Sequence, residues 1–383
     1  MSNTNELPSI YSTIADHIAD WHPTDGPLRW SDRRFDRLAR AVFRHQFAEN
    51  APYRDFCKRR GVDPSSLSSY RQIPAVATEV FKRTDLTCGG PTERVFRTSG
   101  TTTGDRGRHL FRTLALYRRA IHPPFRRFCN PEATTRRMGV VAPAPDQLPD
   151  SSLSFMLGEL VDRWGDAKSD FFARADETGD LQFDFDGLAD FLETAVDEET
   201  AVLLFGTVFG FAEFFDATDA DWQLPTGSRV VETGGFKGRT EELTKSDLYD
   251  QFVDRLGIAR RRCLSEYSMT ELSSQAYTAT LVRESAAARR PEERGFYPPP
   301  WARIEIVDPE TLELTEETDR TGLIRWYDLA NVGSVCAVQT ADLGYRTREG
   351  SVVHEGRARE APLRGCSLTA EEITDGKDPS TAG

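Results

Sequence analysis

The sequence predicts a layered α/β protein. Short apolar runs such as "MGVVAP" and "TAVLLFGTVFG" end in proline or glycine, as strands buried on both faces of a parallel sheet do. Stretches with helical spacing alternate with them, and beyond about residue 300 the texture changes to alternating runs joined by turns.

Along the chain, residues 31–60 place Phe35, Leu38, Val42 and Phe47 near helical spacing, with Ser31 as N-cap and Gly61 as stop. A helical entry region is expected there. The stretch "FRTSGTTTGDRGRHL" (96–110) then opens, and the helical character of "LFRTLALYRRAI" behind it predicts a glycine-rich loop leading towards a helix. "SRVVETGGFKGR" repeats the pattern of a strand running into a glycine loop. In "SDLYDQFVDRLG", Leu248, Phe252 and Leu256 share one helical face and Gly257 can cap the end. The region "ARIEIVDPETLELTEETDRTGLIRWYDL" alternates around an Asp-Pro turn, which predicts hairpins, and the polar end "TAEEITDGKDPSTAG" is expected to fray.

A chain of 383 residues, 38% hydrophobic and 28% charged, can bury one large core or two ordinary ones. Its net charge of −13 argues against nucleic acid or an anionic membrane as partner, because phosphate binding needs a basic stripe. No apolar run reaches the ~18 residues of a transmembrane span, and the N-terminus lacks the basic-then-apolar order of a secretory signal. The expected location is cytoplasmic. Six cysteines (57, 88, 129, 263, 336 and 366) lack CxxC spacing, so reduced thiols are expected rather than a zinc ribbon or a disulfide framework.

The 96–110 stretch holds five Ser/Thr hydroxyls, three glycines and three arginines. Converging N–H and O–H donors bind anions, and a helix starting nearby would add its positive end. A P-loop is excluded by spacing, since three residues separate Gly100 from Gly104 and Asp105-Arg106 follows where Lys-Ser/Thr should stand. A solvent loop without ligand remains the alternative on composition alone. A second constellation lies downstream: "CLSEYSMTELSSQ" sets Tyr267 and Glu271 four residues apart, and "QTADLGY" offers Asp342 in what reads as a small-residue turn.

The ordered series TSGTTTGDRG, ETGGFKG, YSMTE, TADLG and GRAREAPLRG resembles the motifs of the adenylate-forming, acyl-activating superfamily. Within it, "YDLANVGSVCAVQTADLG" and "GRAREAPLRGCSLTAEEI" are most similar to the acyl-protein synthetases, LuxE-like ligases related to phenylacetate-CoA ligase. The resemblance implies ATP and Mg²⁺ as cofactors, a carboxylic acid as substrate, and a protein acyl acceptor or acyl reductase as partner. It implies an adenylate-forming domain over 1–355, with a helical N-terminal region and a β-hairpin-rich C-terminal part. A stub at 356–383 would stand in place of the C-terminal lobe.

By that similarity Thr98, Ser99, Gly100, Thr101, Thr102, Thr103 and Gly104 would cradle the β- and γ-phosphates, with Thr102 counted among the catalytic groups. Gly234 and Gly235 would line the adenine site, with Tyr267 against the base and Thr270 beside the nucleotide. Glu271 would hold Mg²⁺, Asp342 would accept from the ribose hydroxyls, and Arg357 would sit near the nucleotide. Cys366, in "LRGCSL", would take the acyl group as a thioester, helped by the neighbouring Arg364.

The sequence departs from the superfamily in two places. Ser268 replaces the usual glycine, and only 17 residues follow Cys366, whereas the commoner relatives carry a lobe of roughly 100 or more residues with an adenylating lysine. Lys82, Arg106 or Lys237 would have to serve in its stead, or a partner protein would complete the site. An acyl-CoA ligase of the phenylacetate type and a non-catalytic nucleotide- or acyl-adenylate-binding subunit are the competing readings. Cys263 and Cys336 read as core, His109 as a packing residue that could reach phosphate or carboxylate, and "VLLFGTVFGFAEFF" chiefly as a buried strand.

Overall fold

The structure, a computed structural model, describes residues 7–98, 106–176, 180–234 and 244–358. It divides into two compact units. The first is assigned Met1–Ala120, Ser268–Gln275 and Pro298–Gly383, and the second Ile121–Tyr267 and Ala276–Tyr297.

The first unit opens with α1 (Ser9–Ala19), α2 (Asp32–Glu49) and α3 (Ala51–Arg59). Ser31 caps α2 as expected, its hydroxyl accepting from the Arg34 N–H. The entry region is nevertheless two helices, because Asn50 adopts an extended backbone and its side chain accepts from the Tyr53 N–H to start α3. Phe35, Leu38 and Val42 are buried; Phe47 is only half-buried, and Gln46 takes the interior position instead. That buried amide accepts from the Cys336 N–H and donates to the Asn331 carbonyl, so its polar atoms are satisfied without water.

The chain continues through β1 (Val76–Ala77), a 3-10 turn over Thr78–Lys82, β2 (Arg94–Arg97) and β3 (Arg108–Phe111) to α4 (Ala115–Phe128).

The second unit carries β4 (Arg137–Pro143), α5 (Ser152–Trp164), β5 (Asp170–Ala175), β6 (Leu181–Phe183), α6 (Phe185–Asp197), β7 (Val202–Thr207) and α7 (Val208–Ala217). There follow β8 (Arg229–Thr233), α8 (Lys245–Leu256), β9 (Cys263–Tyr267), β10 (Ala276–Thr278) and β11 (Phe296–Tyr297). Its strands run in the order β11-β10-β9-β8-β7-β4-β5-β6. The centre is parallel and both ends antiparallel.

Every residue of β4 is buried, as two-sided coverage by helices requires. Val141, Leu204 and Val230 of the sheet pack with Phe211 of α7 and Leu248, Phe252 and Leu256 of α8. The apolar run after residue 202 is thus a strand only as far as Thr207. That hydroxyl accepts from the Gly210 N–H and turns the rest of the run into α7. Gly257 ends α8 in the left-handed region, as its position predicts.

The remainder of the first unit is β12 (Ala302–Val307), β13 (Leu314–Thr315), β14 (Gly322–Asp328), β15 (Ala337–Arg346) and β16 (Val352–Arg357). They form an antiparallel array in the order β13-β12-β14-β15-β16, with β1 parallel to β15. The expected Asp-Pro turn is present: the Asp308 carboxylate accepts from the Glu310 and Thr311 N–H groups.

The α/β class expected from the sequence therefore holds, with the hairpins after residue 300 in place. The five described cysteines (57, 88, 129, 263 and 336) are buried free thiols, which agrees with the core reading of Cys263 and Cys336. Among the described residues no helix is long and apolar enough to cross a membrane.

Candidate functional site

The chain on either side of the Thr-rich segment forms a paired β2–β3 hairpin. Phe96 pairs with His109 and Arg97 with Arg108 across β2 and β3. One step further, the Thr98 N–H donates to the Gly107 carbonyl at 2.9 Å, and the Gly107 N–H donates to Thr98 Oγ1 at 2.8 Å. Arg106 Nε donates to the Thr98 carbonyl at 2.7 Å, so this cation holds the neck of the loop.

Gly107 sits in close quarters: a Cβ at that position would lie 3.0 Å from Thr98 Cγ2 and 3.6 Å from Cγ of Lys82. The exposed Lys82 thus runs its stem beside the neck. Ser99, Gly100, Thr101, Thr102, Thr103 and Gly104 lie outside the described residues, as do Gly235, Lys237 and Cys366. The expected passage from loop to helix is corrected by the structure. Strand β3 intervenes, and α4 begins only at Ala115, because the chain leaving the loop pairs back onto β2 before it can coil.

Glu271 lies in the first unit, in a turn where the Leu272 N–H donates to the Met269 carbonyl at 3.1 Å. Its side chain belongs to a residue only 7% exposed. Burial raises its pKa to about 7; the carboxylates of Glu79 and Asp342 push the same way, while its own backbone N–H and the Arg357 guanidinium oppose them. Glu271, Asp342 and Arg357 are thus brought into one electrostatic group, joined by Glu79 of the 3-10 turn after β1.

Glu79 was not among the sequence candidates. Its Oε1 stands 3.9 Å from Arg357 Nη2, and the only sequence signal for it is its place in "IPAVATEVFK", at the start of the region of resemblance.

Asp342 and Arg357 are directly paired residues of β15 and β16. Asp342 sits inside a ten-residue strand, which corrects its expected place in a turn. The small residues around it serve a bulge between Leu343 and Gly344. A Cβ at Gly344 would meet the Val353 carbonyl at 2.2 Å.

The turn bearing Glu271 is held from beneath by buried polar groups. Asp328 accepts from the Ser273 N–H at 2.8 Å, the Ser274 hydroxyl at 2.7 Å and the Ala330 N–H at 3.0 Å. Burial still raises its pKa to about 6 against those hydrogen bonds. Thr270 is met through its carbonyl, which faces Nδ1 of His109 at 2.7 Å. His109 is fully interior, and burial lowers its pKa to about 4. It does not reach out to phosphate through an exposed ring, so the packing reading is the one realised.

In the second unit Gly234 follows β8 with φ 84°, a conformation that favours glycine, and a Cβ there would meet no atom within 4 Å. Thr233 pairs with Glu266 across β8 and β9, so Gly234 and Tyr267 each follow the last paired residue of their strands. The Thr233 hydroxyl also hydrogen-bonds the Glu266 carboxylate. The Tyr267 ring is buried against Phe296, with centroids 5.5 Å apart.

No group of three or more His, Cys, Asp or Glu side chains among the described residues is arranged to hold a metal by itself. A cation at Glu271 would therefore draw most of its ligands from phosphate or water, the usual habit of Mg²⁺. The local donor set suits it, since a buried carboxyl pushed up by two further carboxylates would be relieved by a nearby positive charge.

Comparison with known proteins gives one family match: the family described as "Acyl-protein synthetase, LuxE" covers residues 2–374. No curated protein matches. Among solved structures, ATP-bound MatB from Rhodopseudomonas palustris is similar at 16% identity and a TM-score of 0.49, over 69% of this chain and 47% of that one. The luciferase-like enzyme of the nonluminescent mealworm Zophobas morio is similar at 14% identity and a TM-score of 0.48, over 78% and 62%. The O-succinylbenzoate coenzyme A synthetase MenE from Bacillus subtilis, in complex with AMP, is similar at 17% identity and a TM-score of 0.45, over 70% and 50%. The chain spans about half the length of the first of these.

Proposed function

The chain belongs to the acyl-protein synthetase family, LuxE, and from that premise we propose that it is an ATP-dependent acyl-protein synthetase. A carboxylate oxygen of a substrate acid, which we take to be a fatty acid, attacks the α-phosphorus of ATP. The bond to the β-phosphate oxygen breaks, giving acyl-AMP and pyrophosphate. The Cys366 thiolate then attacks the acyl carbonyl, AMP leaves, and the resulting thioester passes its acyl group to a protein partner such as an acyl reductase.

The observation that carries this reading is the grouping of Glu271, Asp342 and Arg357 within one unit, in the unit that also holds the hairpin of Thr98. Two anions must be brought together and the spread charge of the transition state stabilised, which calls for oriented donors more than for covalent help. The Thr98 hydroxyl, with the hydroxyls and N–H groups of residues 99–104, Thr102 included, would bind the β- and γ-phosphates, the Thr98 N–H being committed to the Gly107 carbonyl. Asp342 would accept from the ribose hydroxyls, Arg357 would lie along the nucleotide, and Thr270 beside it. Gly234, Gly235 and Tyr267 would line the base. Mg²⁺, held by Glu271, would supply charge neutralisation between phosphate oxygens.

Lys82 is the better candidate for the cation that a C-terminal lobe would otherwise supply. Arg106 is committed to the neck of the hairpin, whereas Lys82 stands beside that neck and has no ion pair among the described residues. A cytoplasmic location fits this function.

The test is carboxylate-dependent exchange of labelled pyrophosphate into ATP, over acids from acetate to long-chain fatty and aromatic acids. Exchange with a subset of acids supports the ligase. Its absence with every acid, with Mg²⁺ and candidate partners present, would leave a nucleotide-binding subunit. Release of free acyl-CoA on adding coenzyme A would identify an acyl-CoA ligase instead.

A further inference from the structure

The carbonyls on either side of the Glu271 α-carbon both face one buried pair. The Thr270 carbonyl, in the peptide before Glu271, faces His109 Nδ1 at 2.7 Å. The Glu271 carbonyl, in the peptide after it, accepts from Asn331 Nδ2 at 2.9 Å. His109 Nε2 also lies 3.0 Å from Asn331 Oδ1; the neutral ring carries a single N–H, so it donates to one of these two oxygens and only packs against the other.

The second hydrogen of the Asn331 amide goes to the Val335 carbonyl at 2.9 Å, which fixes the amide's orientation. Both residues are interior, at 1% and 2% exposure, and the His109 ring is wedged between Phe81 and Phe111. His109 also stands two residues past Gly107, on the strand that closes the neck with Thr98.

From this arrangement we propose that His109 and Asn331 are positioning residues that set the Glu271 carboxylate for the metal–nucleotide complex and couple it to the β2–β3 strand pair. The proposal rests on the reading of Glu271 as the metal-holding carboxylate. Neither side chain need touch the nucleotide. With contacts at both flanking peptides, Glu271 keeps chiefly its side-chain torsions free, and His109 stands on β3, paired with β2. Ligand-orienting partners of this kind typically change metal affinity by roughly 10- to 100-fold when removed.

The experiment is calorimetric titration of ATP into the full chain, once with excess Mg²⁺ and once with chelator, for the wild type and for His109→Phe, which keeps a ring in the aromatic slot. Wild type should bind more tightly with Mg²⁺. His109→Phe should lose about tenfold or more of that gain while keeping its metal-free affinity. His109→Asn, which can restore a donor to the Thr270 carbonyl, should recover part of it.

A folded His109→Phe protein with an undiminished Mg²⁺ gain overturns the clamp and leaves the ligase reading standing. Wild type with no Mg²⁺ gain overturns the role of Glu271, and the clamp with it. If His109→Phe does not fold, Asn331→Ala is measured in the same way, and failure of both to fold would show the pair to be structural only and overturn the proposal.

Discussion

Asp342 and Arg357 face each other across the β15–β16 ladder, so their side chains leave the sheet on the same face. Arg357 in turn lies 3.9 Å from Glu79, and His354 Nε2 stands 4.0 Å from Asp342 Oδ1. One guanidinium thus stands among carboxylates on three separate segments.

If Asp342 accepts from the ribose hydroxyls, Asp342→Ala should raise the apparent KM for ATP by roughly 10- to 100-fold. Loss of a charged hydrogen-bond acceptor costs about 1.5–3 kcal/mol. Initial-rate measurements in the exchange assay check this, and a wild-type KM would show the contact to be misassigned.

Glu271→Gln keeps the shape of the side chain and removes its charge. The fold should persist, because burial already opposes ionisation of this carboxyl. Exchange should fall by about 100-fold or more, since several kcal/mol of charge stabilisation are at stake. Circular dichroism and the exchange rate, measured on one preparation, separate the two effects; unchanged exchange would remove the metal role.

How much of this could be read beforehand depended on the distance over which each signal acts. The Ser31 cap, the Gly257 stop and the apolar strand of residues 138–143 are set by near neighbours and show in the sequence. The hairpin at 94–111 does not, because its four-residue strands are too short to display alternation beside a helix-like stretch.

The carboxylate group was half visible. Glu271 and Asp342 stand in recognisable motifs, whereas Glu79 and the His109–Asn331 pair become meaningful only when segments far apart in the chain meet. The sequence places Asp342 in a turn and the structure in a strand, because glycine beside a strand can mark a bulge as readily as a reversal.

Cys366→Ser should retain acid-dependent exchange and lose acyl labelling that hydroxylamine releases. In the proposed sequence adenylation would precede thioester formation, so only the second step would need the sulfur. The readouts are pyrophosphate exchange and radiolabelled acid retained on denatured protein. Labile label persisting on the serine variant would move the acceptor to another thiol. Cys129, Cys263 and Cys336 are poor substitutes, because burial pushes each thiol pKa up and suppresses the thiolate.

A last prediction concerns the second unit and is independent of the proposed chemistry. Arg229 on β8 is 1% exposed and is satisfied by the Cys129 carbonyl at 2.8 Å and by both oxygens of Glu132 at 3.0 and 3.1 Å. Arg136 adds a further contact to Glu132 at 2.9 Å. Partial burial works against ionisation of Glu132, but the Arg229 hydrogen bonds and the two guanidinium charges outweigh it and hold the pKa at about 2. Since the folded pKa lies below the unfolded value, the stabilisation is complete above about pH 4.5 and is lost as pH falls towards 2. Glu132→Gln should therefore lower stability at pH 7. The side chain is 47% exposed, so solvent screening cuts the shift-derived value to about 1–2 kcal/mol. Urea unfolding at pH 7, 4 and 2.5 should show the difference shrinking step by step. A gap that stays constant across that range would mean the loss comes from packing rather than from the charge on Glu132.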